Sequence, residues 1–205
     1  MRVLTCADSG VLVEVADLAE VIALRAALRA RPLPGVTDVV PAARTLLLRI
    51  EPGTDPDGVA AAVTGLPLAP GTGPDSGDTV TIPVFYDGED LDDVAELTGL
   101  TRRGVVEAHT NATWTVAFCG FAPGFGYMVG DDPRLHVPRR GEARTRVPAG
   151  SVALAGEFAG VYPRSSPGGW QLLGRTEAPI WDLHRDPPGL LRPGVRVRFT
   201  DAEAS

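Results

Sequence analysis

From Thr79 onward the chain never runs far without a break. The β-rich runs "TVTIPVFY", "TWTVAFCGF", "SVALAGEF", "WQLLGRT" and "VRVRF" are cut apart by glycine and proline, of which the 205 residues hold 24 and 19. Glycine and proline both interrupt regular elements. Many short strands joined by such turns predict a closed or nearly closed β structure. Within "VRVRF", Val195, Val197 and Phe199 face one way and Arg196 and Arg198 the other. In "TWTVAFCGF" the same alternation puts Trp114, Val116 and Phe118 on one face, against Thr113, Thr115 and Ala117. Pro83 points to an edge position or a bulge for the first strand. Two short helices interrupt the pattern. "DLDDVAELTGL" has Asp90 as cap and Gly99 as stop, and Thr101 starts a second helix that runs to about His109.

The first 64 residues read differently. "RVLTC" and "VLVEV" form a hairpin around "ADSG". Asp17 then caps a helix, with Glu20 completing a capping box and Leu18, Val21, Ile22, Leu24 and Leu28 giving one apolar face. "VTDVVP" and "TLLLRI" are two more strands, and 55–63 is a second helix. This order predicts a small N-terminal α/β layer over 1–64. The Gly/Pro-rich "GLPLAPGTGPDSGD", 65–78, reads as a linker, and 79–205 as the barrel domain. The fold class is therefore α+β.

Composition excludes several functions. The net charge of −7 disfavours a nucleic-acid partner, which needs a positive field. All 19 basic residues are arginine, so no Schiff-base, phosphate-loop or general-base lysine exists. Cys6 and Cys119 have no metal-ligand spacing and read as small apolar side chains; His109, His136 and His184 make no zinc set with them. No metal site is expected. The start, "MRVLTCADSG", lacks the apolar core of a signal peptide, and no apolar run reaches membrane-spanning length. A soluble, cytoplasmic chain without a membrane partner is expected.

Two stretches carry the chemistry. "FAPGFGYMVG", 121–130, places Phe121, Phe125 and Tyr127 on a glycine-hinged loop, where the rings either line a pocket or pack as a rigid corner. "YPRSSPGGWQLLGRT", 162–176, sets Tyr162, Ser166, Gly168, Gly169, Trp170 and Arg175 around a Pro-Gly-Gly turn whose hydroxyl and amides suit an anion. No Gly-x-Ser-x-Gly elbow is present, so neither Ser165 nor Ser166 reads as a nucleophile. Between the stretches lie Arg139 and Arg144, in a proline-stiffened segment of five arginines whose forks suit carboxylate or phosphate. His109, in a last helical turn, is either a dipole-favoured histidine or an acid/base group beside the aromatic loop. Glu157 is either an exposed strand end or a second acid/base group.

The blocks "FYDGEDLDDVAELTGL", "VVEAHTNATWTVAFCGFAPGFGYMVG", "LHVPRR" and "RVPAGSVALAGEFAGVYPRSSPGGWQLLGRT" occur in order between Tyr86 and Thr176. Together they resemble the allophanate hydrolase subunit 1 family. That family includes one of the subunits of the bacterial 5-oxoprolinase and an inhibitor of a sporulation histidine kinase. The resemblance implies a cyclophilin-like β-barrel and a partner of the subunit 2 type. With a third subunit, it implies ATP-driven opening of 5-oxoproline to L-glutamate, with ATP used by the complex. It also implies two alternatives: a binding module that inhibits a histidine kinase, and half of a urea carboxylase-like carboxyltransferase. The motif positions are His109, Phe121, Pro123, Gly124, Phe125, Arg139, Arg144, Ser151, Tyr162, Ser166, Gly168, Gly169, Trp170, Arg175 and Thr176. Among these and their neighbours, His109, Arg175 and Glu157 are the candidate catalytic groups. Phe121, Phe125, Tyr127, Arg139, Arg144, Tyr162, Ser166, Gly168, Gly169 and Trp170 are the candidate substrate-binding groups. The expected arrangement brings the aromatic loop and the Ser-Ser-Pro-Gly-Gly-Trp turn together as one wall of a cleft that a partner closes.

Overall fold

A computed structural model of the chain describes residues 1–67 and 77–203. The chain divides into two compact units, Met1–Pro74 and Asp75–Ser205. Most of the expected linker lies outside the described residues. Its first two positions belong to the first unit, since Gly65 caps a helix and Leu66 is buried.

In the first unit β1 (Arg2–Cys6), β2 (Gly10–Glu14), β3 (Val36–Pro41) and β4 (Thr45–Ile50) form an antiparallel sheet in the order β1-β2-β4-β3. Strict alternation builds its buried face, with Val11, Val13, Leu46, Leu48 and Ile50 inside. Helices α1 (Leu18–Ala30) and α2 (Pro56–Thr64) cover that face with Leu18, Val21, Leu24, Leu28, Val59 and Val63. Asp17 caps α1 by accepting the Glu20 N–H at 2.9 Å, and the Glu20 carboxylate accepts the Ala16 N–H at 2.9 Å. Asp55 caps α2 the same way, with Pro56 opening the first turn.

The second unit is built on β5 (Thr79–Val84), β6 (Trp114–Cys119), β7 (Gly126–Gly130), β8 (Arg144–Val147), β9 (Ser151–Ala155), β10 (Phe158–Val161), β11 (Ser166–Gly168), β12 (Gln171–Arg175) and β13 (Arg196–Asp201). Seven of these form a barrel-like sheet in the order β12-β9-β10-β7-β6-β13-β5, while β8 and β11 pair apart. Every ladder in the large sheet is antiparallel except β13 with β5. Pro83 lies on β5 at the end of this order, consistent with an edge.

The two ends of the sheet meet at one rung. Phe85 N–H donates to the Arg175 carbonyl at 2.8 Å, and Arg175 N–H donates to the Phe85 carbonyl at 2.9 Å. The chain then follows β12, with Gly88 N–H on the Leu173 carbonyl at 3.1 Å and Asp90 N–H on the Leu172 carbonyl at 3.2 Å. Gly174 and Gly88 permit this approach. A Cβ at Gly174 would strike the Phe85 carbonyl oxygen, and one at Gly88 would strike the Leu172 carbonyl oxygen.

Both faces of the large sheet are buried. One face joins Ile82, Val84, Trp114, Val116, Met128, Leu154, Val197 and Phe199 with Leu91 and Val94 of α3 (Leu91–Thr98) and Val105 of α4 (Arg102–Asn111). The other holds Phe125, Ala153, Ala155, Tyr162, Trp170 and Leu172. This corrects one strand expectation. A register shift between Val116 and Phe118 turns Phe118 away from Trp114 and Val116; its ring stacks on Tyr127 at 4.4 Å instead. Among the described residues no helix is long and apolar enough to cross a membrane, and no group of three or more His, Cys, Asp or Glu is placed to hold a metal ion.

Candidate functional site

The aromatic loop leaves β6 at Gly120 and enters β7 at Gly126. Backbone bonds pin it: Ala122 N–H reaches the Gly120 carbonyl at 2.7 Å, and Phe125 N–H the Ala122 carbonyl at 3.0 Å. Phe125, 1% exposed, meets Tyr162 and Trp170 edge-on, each at 5.3 Å between ring centres. Tyr127 reaches Trp170 at 5.5 Å, and Phe121 reaches Phe125 at 5.4 Å and Tyr162 at 6.3 Å. Such edge-to-face pairs hold rings in fixed orientations. The loop and the Tyr162–Thr176 segment therefore meet, as expected. A glycine makes the room: a Cβ at Gly160 would lie 2.8 Å from Phe125 and 3.0 Å from Trp170.

The cluster is packed rather than hollow. Phe125, Tyr162 and Trp170 are corner residues, and burial pushes the Tyr162 phenol pKa up. The ring left to a ligand or partner is Phe121. It is 60% exposed and held at φ +66, a conformation that costs a bulky residue about 1 kcal/mol or more. Trp181, also exposed, lies beside the loop, with its Cβ 3.0 Å from where a side chain on Gly124 would begin.

Next to this cluster sits a carboxylate that the sequence disguised as a helix cap. Asp90 makes no capping bond to α3. Its side chain, 1% exposed, accepts hydrogen bonds from Arg140 Nη1, from Arg144 Nη2 at 2.7 Å and from Leu172 N–H at 2.7 Å. Burial raises the Asp90 pKa, but the Arg144 bond, the Leu172 N–H and the two cationic charges outweigh it and hold the carboxyl below its usual range. Arg144 is thus committed to Asp90 and, at 3.1 Å, to Glu89. Arg139 stays exposed and its charge acts on both Tyr127 and Tyr162.

The remaining expected groups scatter. Ser166 Oγ is buried without a hydrogen-bond partner among the described residues. A side chain on Gly168 would strike the Tyr162 hydroxyl, and the Gly169 carbonyl accepts the Arg140 N–H at 2.9 Å. Arg175 is exposed at the barrel seam, bonded to Asp87 at 2.9 Å and lying 4.6 Å over the Phe85 ring. Glu157 projects from the exposed turn between β9 and β10.

His109 is not beside the aromatic loop. It is fully buried, stacked on Phe199 at 4.3 Å, with Nδ1 2.8 Å from Tyr86 Oη and Nε2 unpartnered among the described residues. Burial pulls its pKa down to about 3 from 6.5, so the ring is neutral at physiological pH. Unfolding releases it to its ordinary pKa, so the unfolded chain binds the extra proton. Stability is then complete above pH 6.5 and falls as pH drops toward 3, by up to ~1.4 kcal/mol per unit. Denaturant midpoints measured across that window will show the slope. His109→Gln, which cannot titrate there, will flatten it; an equal slope in the variant assigns it elsewhere.

The family comparison matches the same architecture. The family of the carboxyltransferase domain, subdomain C and D, matches residues 1–191. The chain belongs to this family. Its curated relatives include a 5-oxoprolinase subunit of Escherichia coli O157:H7, 50% identical over 123 residues that make up 58% of this chain and 56% of the relative. The chain spans about half the length of the curated 5-oxoprolinase relatives it matches, between 51% and 59%. A conserved uncharacterized protein from Pyrococcus horikoshii superposes with a TM-score of 0.58 at 31% identity, covering 99% of both chains. Kluyveromyces lactis urea amidolyase shares the fold, with a TM-score of 0.78 at 20% identity over 98% of this chain and 15% of that one. The family match reaches back through the first unit, which the Tyr86–Thr176 motifs do not touch.

Sequence reasoning missed Asp90, Arg140, Gln171, Gly160 and Trp181. Only Arg140 carried a signal, as one arginine in a run of five. Asp90 and Gln171 become visible once β12, α3 and the loop after η1 (Pro133–Leu135) are neighbours, Gly160 once Phe125 and Trp170 pack over it, and Trp181 once it lies against Gly124.

Proposed function

We propose that this chain is a non-autonomous subunit of an ATP-dependent 5-oxoprolinase, acting with a partner of the subunit 2 type and a third subunit to open 5-oxoproline to L-glutamate. The 50% identity to a 5-oxoprolinase subunit across 123 residues carries the proposal. The geometry supports the dependence on partners. A lactam is a poor electrophile, and phosphorylating its carbonyl oxygen supplies a better leaving group. That chemistry needs cationic donors and an acid/base group in a water-poor pocket. Arg139 and the exposed Phe121 offer a cation and an apolar lid, but His109 is locked away, Glu157 stands on an open turn and Arg175 sits at the seam. The acid/base group and the ATP phosphates then fall to other subunits, in keeping with a chain that has no lysine.

The test mixes the purified chain with its two partner subunits, ATP and 5-oxoproline, and follows glutamate. Omitting the chain is expected to abolish glutamate formation. Phe121→Ala is expected to lower it at least tenfold while leaving the melting temperature of the isolated chain unchanged. Full turnover without the chain overturns the proposal.

A further inference from the structure

We propose that the first unit pairs with a second copy of itself, by antiparallel addition of β1 to β1. The starting point is which main-chain groups the sheet β1-β2-β4-β3 leaves over. Ile50 N–H reaches the Ser9 carbonyl at 3.1 Å and Val15 N–H the Arg44 carbonyl at 2.9 Å, in the unbroken register that sets Glu14 against Thr45. Alternation then turns the polar groups of Val11 and Val13 toward β4, and those of Gly10, Leu12 and Glu14 toward β1. Their β1 partners Cys6, Leu4 and Arg2 face inward, so Val3 and Thr5 carry their N–H and C=O groups out from the edge. Those groups meet no partner among the described residues, and Thr5 is exposed. The opposite edge is closed. The same alternation points Val39 and Pro41 of β3 outward. Pro41 has no N–H, and the Val39 N–H is held by the Asp38 carboxylate at 2.8 Å. The Val36 N–H is spent on the Leu33 carbonyl at 3.2 Å. One edge of the sheet is guarded against an added strand and the other is open, and an open edge is a template for another chain.

The self-complementarity of β1 names the occupant. A two-fold axis at Leu4 sets Val3 of each copy opposite Thr5 of the other. Every outward N–H and C=O of both residues is then bonded, and the facing pairs are β-branched. Arg2 falls opposite Cys6, so no like charges face each other. Leu4 falls opposite Leu4 as a non-hydrogen-bonded pair, the arrangement in which side chains come closest, with Cα atoms about 4.5 Å apart. Leu4 is 37% exposed and ends an aliphatic row on the sheet face away from the helices: Leu4 lies beside Leu12, Leu12 beside Leu47, and Leu47 beside Val40, itself 41% exposed. Pairing at Leu4 makes that row continuous through both copies. A contact of this size lies below that of standard specific interfaces, so a dissociation constant on the order of 10–100 μM is expected.

Sedimentation velocity of the whole chain, at concentrations spanning that range, is expected to show a monomer–dimer equilibrium. Thr5→Pro deletes an outward N–H that the β1–β2 ladder does not use, so it should weaken the dimer at least tenfold and leave the melting temperature of the monomer unchanged. Leu4→Cys, in a chain that also carries Cys6→Ala and Cys119→Ala, should cross-link to itself under mild oxidation, because such a pair lies inside the Cα window of a disulfide, roughly 4.4–6.8 Å. Thr5→Cys in the same background faces Val3 across the axis and should cross-link at least tenfold more slowly. A monomer at every concentration overturns the pairing and leaves the edge to a strand of some other chain. A dimer that ignores Thr5→Pro overturns it too, and moves the contact to the aliphatic face. Equal cross-linking at the two cysteine positions overturns the register, and with it the proposal; this arm decides alone if Thr5→Pro fails to fold. The inference makes no use of the oxoprolinase reading, and glutamate formation plays no part in its test.

Discussion

Asp90→Ala lowers the thermal unfolding midpoint by about 10 °C. The carboxylate is buried, and its loss leaves the Leu172 N–H without its acceptor and the two guanidiniums with only the exposed Glu89 and Asp93 as partners. Removing one partner of a buried ion pair costs about 3–5 kcal/mol, because the charge left behind is neither solvated nor paired. Arg140 and Arg144 keep some solvent access, 31% and 16% of their side chains, so the lower end applies. About 3 kcal/mol corresponds to about 10 °C for a unit of this size. Asp87→Ala breaks the exposed pair with Arg175 and is expected to cost less than ~1 kcal/mol. A difference of under 2 °C between the two variants, by calorimetry, removes Asp90 as the clamp between α3, β12 and the arginine segment. Acid titration separates this residue from His109. Asp90 has a folded pKa below 3.8, so its contribution is intact above that value and lost only as pH falls beneath it.

Gly174→Ala opens the barrel seam. The added methyl meets a main-chain oxygen, Phe85 O, which cannot rotate aside as a side chain would. Relief requires β12 to move away from Phe85, and with it goes the rung that joins the two ends of the sheet. A loss on the order of 3 kcal/mol is expected, at the upper end for overpacking. Amide exchange gives the sharper readout. Phe85, Gly88 and Arg175 should lose protection while the β6–β7 ladder keeps it. Uniform loss across the sheet contradicts a local seam. Gly141→Ala, where nothing lies within 4 Å and the backbone is outside the left-handed region as at Gly174, is the control for adding a methyl without a collision.

The elements were legible where one rule governed them. Val195, Val197 and Phe199 alternate with arginines and are buried accordingly, and Asp17 with Glu20 announces α1. The meeting of Phe125 with Trp170 followed from two glycine-hinged aromatic segments that had no helix or strand to bury their rings. Other residues were misread because their neighbours are remote in sequence. Asp90 looks like any helix cap until Arg140, Arg144 and β12 are brought to it. Phe118 changed faces because one extra residue in β6 breaks a two-residue period that no local pattern marks. His109 carried the chemistry of a catalyst and the surroundings of a core residue, and a sequence reports only the first. Gln171 was hidden inside an apolar-looking strand, although its side chain is buried and its amide nitrogen donates to the Pro138 carbonyl.

The parallel pairing of β5 with β13 has a consequence for biosynthesis. β5 emerges from the ribosome as the first strand of its unit, yet the only ladder it joins among the described residues is with β13, the last. Through most of translation its amides and carbonyls have no native strand to bond, while β6, β7, β9, β10 and β12 can already zip together from near neighbours. Completion of the sheet waits on a late, long-range docking event, which is slow by topology and leaves a nascent edge open to mispairing. Pro83, set inside that waiting strand, lacks the amide that an intruding chain would need.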